Sequence, residues 1–135
     1  MGTARAEIVE TARGASPLHI LVVDDEPLVA AAIRMMLDHH DVIVAAGGEA
    51  ALAELATTTF DVVLCDLMMP RMSGMQLYDQ VKTLFPGMES RFVFMSGGVF
   101  TDAVDRFLRR VSNPCVDKPL DLDALDHALA AAFSP

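Results

Sequence analysis

Positive charge is scarce in this chain. Ten Lys and Arg stand against 19 Asp and Glu among 135 residues, a net charge of −9 at pH 7, with a pI near 4.6. No basic run and no basic patch interleaved with aromatics offsets that balance, which argues against direct binding to nucleic acid. Long apolar runs are missing as well. Charge interrupts each one well before 18 residues, so no membrane insertion by this chain is expected. The opening MGTARAEIVETARGASP is mixed in charge and lacks an apolar signal core, so the expected location is cytoplasmic rather than secreted. Cysteine is limited to Cys65 and Cys115. If the strands they close flank a common neighbour, their Cα atoms lie about 9–10 Å apart, beyond the roughly 7 Å reach of a disulfide. Both are expected to be small buried hydrophobes. His19, His39, His40 and His127 show no metal-ligand spacing with them. No internal repeat, low-complexity segment or GxGxxG fingerprint is present.

What remains is a strongly apolar chain, 53% hydrophobic, long enough for one domain with a single good core. Residues 1–16 form a polar, alanine-rich lead ending at Gly14-Ala15-Ser16, expected to be a linker or the tail of a preceding module; residues 17–135 form the domain. Apolar runs mark five strands: Ile20 to Val23, Val42 to Ala45, Asp61 to Cys65, Phe92 to Met95 and Asn113 to Val116. Helical patterns alternate with them. The first helix, opened by Pro27, runs to about His39 with Val29, Ile33, Met36 and Leu37 on one face. The second follows Gly47-Gly48 and carries Ala51, Leu52 and Leu55. The third carries Met75, Leu77, Tyr78, Val81 and Leu84 and stops at Pro86-Gly87. The fourth turns Phe100, Ala103, Val104, Phe107, Leu108 and Val111 inward, with Arg109 and Arg110 in its last turn. The fifth carries Leu122, Leu125, Leu129 and Phe133. Five strands alternating with five helices predict right-handed crossovers and a parallel sheet covered on both faces. The favoured fold is α/β, a flavodoxin-like (βα)5 doubly wound parallel sheet of strand order 2-1-3-4-5.

Asp24-Asp25, Asp66, Ser96 and Lys118 each end or follow a strand. Ligands of open parallel sheets bind outside the carboxyl ends of the strands, so these five residues are expected in one crevice. At about 5 Å and an effective dielectric near 20, each pair of carboxylates there repels by roughly 3 kcal/mol. A divalent cation, or partial protonation, must relieve that. All-oxygen ligation suits Mg²⁺ or Mn²⁺. A cation, an ammonium and a hydroxyl converging on one carboxylate make a holder for a phosphoryl group, and aspartate is a competent nucleophile for an acyl phosphate.

Asp24-Asp25-Glu26-Pro27, Asp66 with Pro70 and Gly74 after it, Ser96 closing a strand, and Lys118-Pro119 together resemble the receiver domain of two-component response regulators. The resemblance covers about residues 18 to 133. It implies Asp66 as phosphoacceptor, Asp25 as direct metal ligand, Asp24 as its supporting acid and the Met68 carbonyl as a backbone ligand. It also implies that Ser96 moves onto the phosphoryl oxygen, that Lys118 pairs with it, and that Lys118-Pro119 is a cis peptide. The implied donor is a histidine kinase or a histidine phosphotransfer domain. The domain would modify and dephosphorylate itself rather than turn over an external substrate. Homodimerisation through the fourth and fifth helices stays open. Two features depart from the pattern. The switch position, usually aromatic, holds Cys115, so output is expected to rest on the Ser96-to-Phe100 loop. No effector domain is expected after the fifth helix, and the segment from Val99 to Leu125 looks like receivers fused behind hybrid histidine kinases. A longer parent would then be a histidine kinase.

Simpler roles exist for each residue: Asp24 or Asp25 as a helix cap, Glu26 as a solvated helix-start acid rather than a ligand through water, the methionines as core filler. A second stripe on the first helix, Leu28, Ala31 and Met35, faces away from the predicted core and would suit a helical histidine-bearing partner. A haloacid-dehalogenase-like aspartyl-phosphate phosphatase is the enzyme-class alternative, but it wants a second Asp two residues after the nucleophile, where Met68 stands. A pseudo-receiver used only for protein contacts would not need the full acidic and lysine set.

Overall fold

The computed structural model describes residues 17–98 and 101–133. Strand β1 (His19–Val23) leads into helix α1 (Pro27–Met36), followed by β2 (Asp41–Ala45), α2 (Gly48–Thr57), β3 (Val62–Asp66) and α3 (Gly74–Leu84). A single 3-10 turn, Met88–Arg91, precedes β4 (Phe92–Ser96), and the chain closes with α4 (Asp102–Arg110), β5 (Cys115–Asp117) and α5 (Leu122–Phe133). The strands form one parallel sheet in the order β2-β1-β3-β4-β5, as the alternating pattern predicts. The lead of residues 1–16 and the inward placement of Phe100 lie outside the described residues.

The three central strands are apolar at successive positions because both of their faces are covered. Leu21, Val23, Val63, Phe92 and Phe94 pack with Ala51, Leu77, Val81 and Phe107 under α2, α3 and α4. Ile20, Val22, Leu64, Val93 and Met95 pack with Ile33, Leu37, Leu125 and Leu129 under α1 and α5. Tyr78 and Phe94 both meet Phe107 nearly edge-on, at ring-centroid distances of 5.4 and 5.2 Å. Such pairs add about 0.5–1.5 kcal/mol beyond their buried area.

Several positions differ from the sequence expectation, each for a local reason. Strands β3 and β4 extend one residue further, so Asp66 and Ser96 are the last residues of the ladder itself. Helix α1 stops at Met36, where the Leu37 N–H closes the final turn on the Ile33 carbonyl. Strand β5 begins only at Cys115; Asn113 instead donates its side-chain amide to the carbonyls of Glu89 and Phe92. Cys65 is buried as expected, but Cys115 is exposed. It sits at the start of the edge strand in register with Phe94, and the alternating exposure of β5 turns only Val116 into the core. Leu84, Ala103, Leu122 and Phe133 are also exposed. Buried Val81, Val104, Leu125 and Leu129 carry the inner faces of those helices.

Candidate functional site

Three tight turns at the carboxyl edge of the sheet create the site. After β1 the Asp24 side chain turns back and its Oδ1 accepts the Glu26 N–H at 2.9 Å. This bond lies just ahead of α1, whose N-cap is Glu26 and makes no side-chain capping bond. The expected capping role thus becomes an Asx turn that fixes the Asp24 carboxylate before the helix begins. After β3 the Asp66 Oδ1 accepts the Met68 N–H at 3.3 Å. The loop then closes with the Gly74 N–H on the Leu67 carbonyl, and Ser73 and Gln76 cap α3 reciprocally. That Ser-x-x-Gln box is also a helix-start signal in the sequence, beyond the apolar face that marks the helix. After β4 the Gly98 N–H lies 3.4 Å from Ser96 Oγ.

Those turns bring the predicted residues together. Asp24, Asp25 and Asp66 offer carboxylate oxygens within 4.8 Å of one another. Asp24 and Ser96 are 1% exposed and Asp66 4%. Lys118 follows β5, beyond the neighbouring strand, and its backbone N–H donates to the Ser96 carbonyl at 2.7 Å. Its Nζ donates to Asp24 Oδ2 at 2.9 Å and lies 3.3 Å from Asp66 Oδ2. Exposed Glu26 reaches the same ammonium at 3.8 Å, too far for a strong bond and consistent with a solvated helix-start acid. The Lys118-Pro119 peptide is cis, as the resemblance implies. Met68 carries a half-exposed side chain, and Cys115 stands on the edge strand beyond the acidic cluster.

Electrostatics in the crevice follow from burial. Desolvation raises the Asp66 pKa; the Lys118 charge pulls it back and the Asp24 charge pushes it further up. For Lys118, burial works against the charge, but the hydrogen bond to Asp24 and the charges of Asp66 and Asp24 outweigh it, so its pKa is raised. Burial and the Asp66 charge hold the neighbouring Cys65 thiol far above the usual range. Cys115, exposed on the edge strand, is pushed up to about 11 by partial desolvation of its thiol and by the Asp117 charge. Neither thiol is a ready nucleophile at neutral pH. One ammonium facing three carboxylates leaves a negative surplus. Three hard oxygen donors at this spacing fit a small divalent cation that keeps part of its water shell.

A family model described as the response regulator receiver domain matches residues 20–130. Among curated proteins, the sensor histidine kinase RcsC of Salmonella typhi is 31% identical over 123 residues, covering 90% of this chain and 13% of that protein. The transcriptional regulatory protein GlrR of Escherichia coli K12 is 34% identical over 119 residues, covering 87% of this chain and 26% of that protein. The chain therefore spans about an eighth to a quarter of these relatives. Among solved structures, one titled as a response regulator from Chloroflexus aurantiacus superposes with a TM-score of 0.76 at 23% identity, covering 87% of this chain and 98% of that one.

Proposed function

Because the chain belongs to the response regulator receiver family, a family of two-component phosphorelay signalling, we propose that Asp66 is its phosphoacceptor. One Asp66 carboxylate oxygen bonds to phosphorus while the bond from phosphorus to a histidine nitrogen of the donor breaks. The freed imidazole then takes a proton from solvent. Water later attacks the phosphorus of the acyl phosphate, releasing phosphate and restoring the carboxylate. The observation that carries this reading is the position of Lys118. Its ammonium lies 3.3 Å from Asp66 and supplies positive charge where the transferred oxygens gain negative charge.

Asp24, Asp25, Asp66 and the Met68 carbonyl would hold Mg²⁺ or Mn²⁺, which when bound neutralises charge on the phosphoryl oxygens. Asp24 serves mainly as a supporting acid, since both its oxygens already hold partners. Ser96 Oγ, buried and 3.4 Å from the Gly98 N–H, is the hydroxyl that follows the phosphoryl group. Cys115 occupies the switch position without a ring, so output passes through the turn after Ser96; Val99 and Phe100 of that turn lie outside the described residues. The donor is a histidine kinase or histidine phosphotransfer domain. The reading includes a cytoplasmic location, a lead of residues 1–16 joining the domain to a preceding module, and membership of a hybrid histidine kinase. Among the described residues no helix is long and apolar enough to cross a membrane.

Incubation with Mg²⁺ and acetyl phosphate or phosphoramidate tests the assignment. A phosphoryl adduct on Asp66, absent from Asp66→Asn and slow to hydrolyse, is the expected result. Steady phosphate release from varied substrates would instead support a phosphatase, and no reaction at all a pseudo-receiver.

A further inference from the structure

The structure assigns to Gly74 a positioning role for Asp66, resting on the reading of Asp66 as phosphoacceptor. Helix α3 begins against the peptide group of that aspartate, and only a residue without a side chain fits there. A Cβ at Gly74 would press into the Asp66 carbonyl oxygen and lie 3.0 Å from Leu67 Cα and 3.1 Å from the Asp66 carbonyl carbon. All three are backbone atoms in the segment that carries the acceptor. That segment cannot yield without moving the site. The Leu67 N–H is bonded to the Met95 carbonyl of β4, and the Gly74 N–H to the Leu67 carbonyl, both at 3.0 Å. The Met68 N–H holds Asp66 Oδ1. Beyond it the loop is already drawn into a left-handed residue, Arg71 with φ of 68°, which a non-glycine residue adopts only where surrounding contacts impose it. A methyl at Gly74 therefore shifts Asp66 and Met68 together, and a displacement near 1 Å costs positioned chemistry on the order of 10²-fold.

Two other glycines at the start of a helix separate this effect from the ordinary cost of replacing glycine. At Gly48 the three nearest atoms a Cβ would meet all belong to the Met72 side chain, a flexible thioether that can retreat. At Gly47 it would meet nothing within 4 Å. Ser73→Ala provides the complementary control, because it loosens the α3 cap without placing a methyl against Asp66.

The experiment compares G47A, G48A, S73A and G74A with the wild-type chain. Two readouts are taken: the rise in thermal midpoint as Mg²⁺ is titrated, and the rate of phosphorylation by acetyl phosphate at saturating Mg²⁺. G74A is expected to lose at least about tenfold in rate, measured well below its own unfolding temperature, and most of its Mg²⁺-induced midpoint shift. G47A should match the wild type, G48A should stay within about threefold, and S73A should lower the midpoint while keeping the Mg²⁺ response. A G74A with wild-type rate and Mg²⁺ response overturns the proposal. So does a G74A whose losses match those of S73A at equal loss of midpoint, and so does a G74A that does not fold, which would make the contact a requirement for folding. If the wild type itself takes no phosphoryl group, the phosphoacceptor reading fails, while the Mg²⁺ titration still decides the role of Gly74.

Discussion

Asp66 and Lys118 carry opposite charges 3.3 Å apart, yet their environments act on them in the same direction, raising both pKa values. For Asp66 this means that the folded protein holds its proton to higher pH than the unfolded chain. Stability must then fall as pH rises through the window between the ordinary aspartate value, near 4, and the raised folded value. In metal-free protein, Asp66→Asn should therefore have the higher thermal midpoint at pH 7, with the difference fading as the solution is acidified toward pH 4. A wild-type midpoint equal to or above that of Asp66→Asn at pH 7 would contradict the raised value. Lys118 acts differently. Its contribution to stability is fully present below the ordinary lysine pKa and is lost only as pH rises through the higher folded one. Lys118→Ala leaves the Asp24 and Asp66 carboxylates facing each other without an ammonium. It should destabilise by about 1–3 kcal/mol and slow phosphorylation by acetyl phosphate on the order of 10²-fold. Denaturant melts and adduct-formation rates measure the two effects separately.

Helix α1 has two faces with different tasks. Ile33 and Leu37 are fully buried under the sheet, whereas Leu28 is 87% exposed and Met35 78%, with Ala31 exposed beside them. The outward stripe follows the same helical spacing and adjoins the turn that carries Asp25. If a helical histidine-bearing donor docks there, Met35→Glu should slow phosphotransfer from that donor at least about fivefold, an interface loss near 1 kcal/mol. Its acetyl phosphate rate and thermal midpoint should not change. Equal slowing with both donors would place the defect in the site instead of in docking. At α3 the capping box is worth about 1 kcal/mol, so Ser73→Ala should lower stability by that amount in a urea melt. The element pattern was legible because apolar positions recur at helical or strand spacing. Leu84, Leu122 and Phe133 were not placed well, because periodicity marks a face but not where along a helix the neighbouring layer ends.

Two packed layers enclose one sheet, and the aromatic group of Tyr78, Phe92, Phe94 and Phe107 ties α3 and α4 to β4. Phe94 is fully buried two residues before Ser96, so Phe94→Ala should cost about 3–5 kcal/mol and be visible as a loss of cooperative unfolding well below the wild-type midpoint. For the molecule as a whole, a net charge of −9 means that any salt relieves some self-repulsion. A specific site adds to this through mass action. MgCl₂ should therefore raise the midpoint more than NaCl of equal ionic strength. Asp25→Asn should remove that excess and keep the NaCl response. Identical responses to the two salts would leave the acidic cluster without a specific cation site.

Fold class, element order and the identity of the charged residues at the strand ends were all legible along the chain. Each of these depends on local rules: alternation, helical period, and turn residues at the close of apolar runs. The sequence also carried the resemblance to the receiver family, to which the chain belongs. Tertiary structure alone decided what those residues meet. The crossovers bring Lys118 over to Asp24, 94 positions away in the chain, and the edge position of β5 leaves Cys115 in the open. The approach of α3 to the Asp66 peptide leaves room at Gly74 for a hydrogen and nothing more. Contacts of that kind depend on distances between elements that fold separately, and no spacing along the chain encodes them.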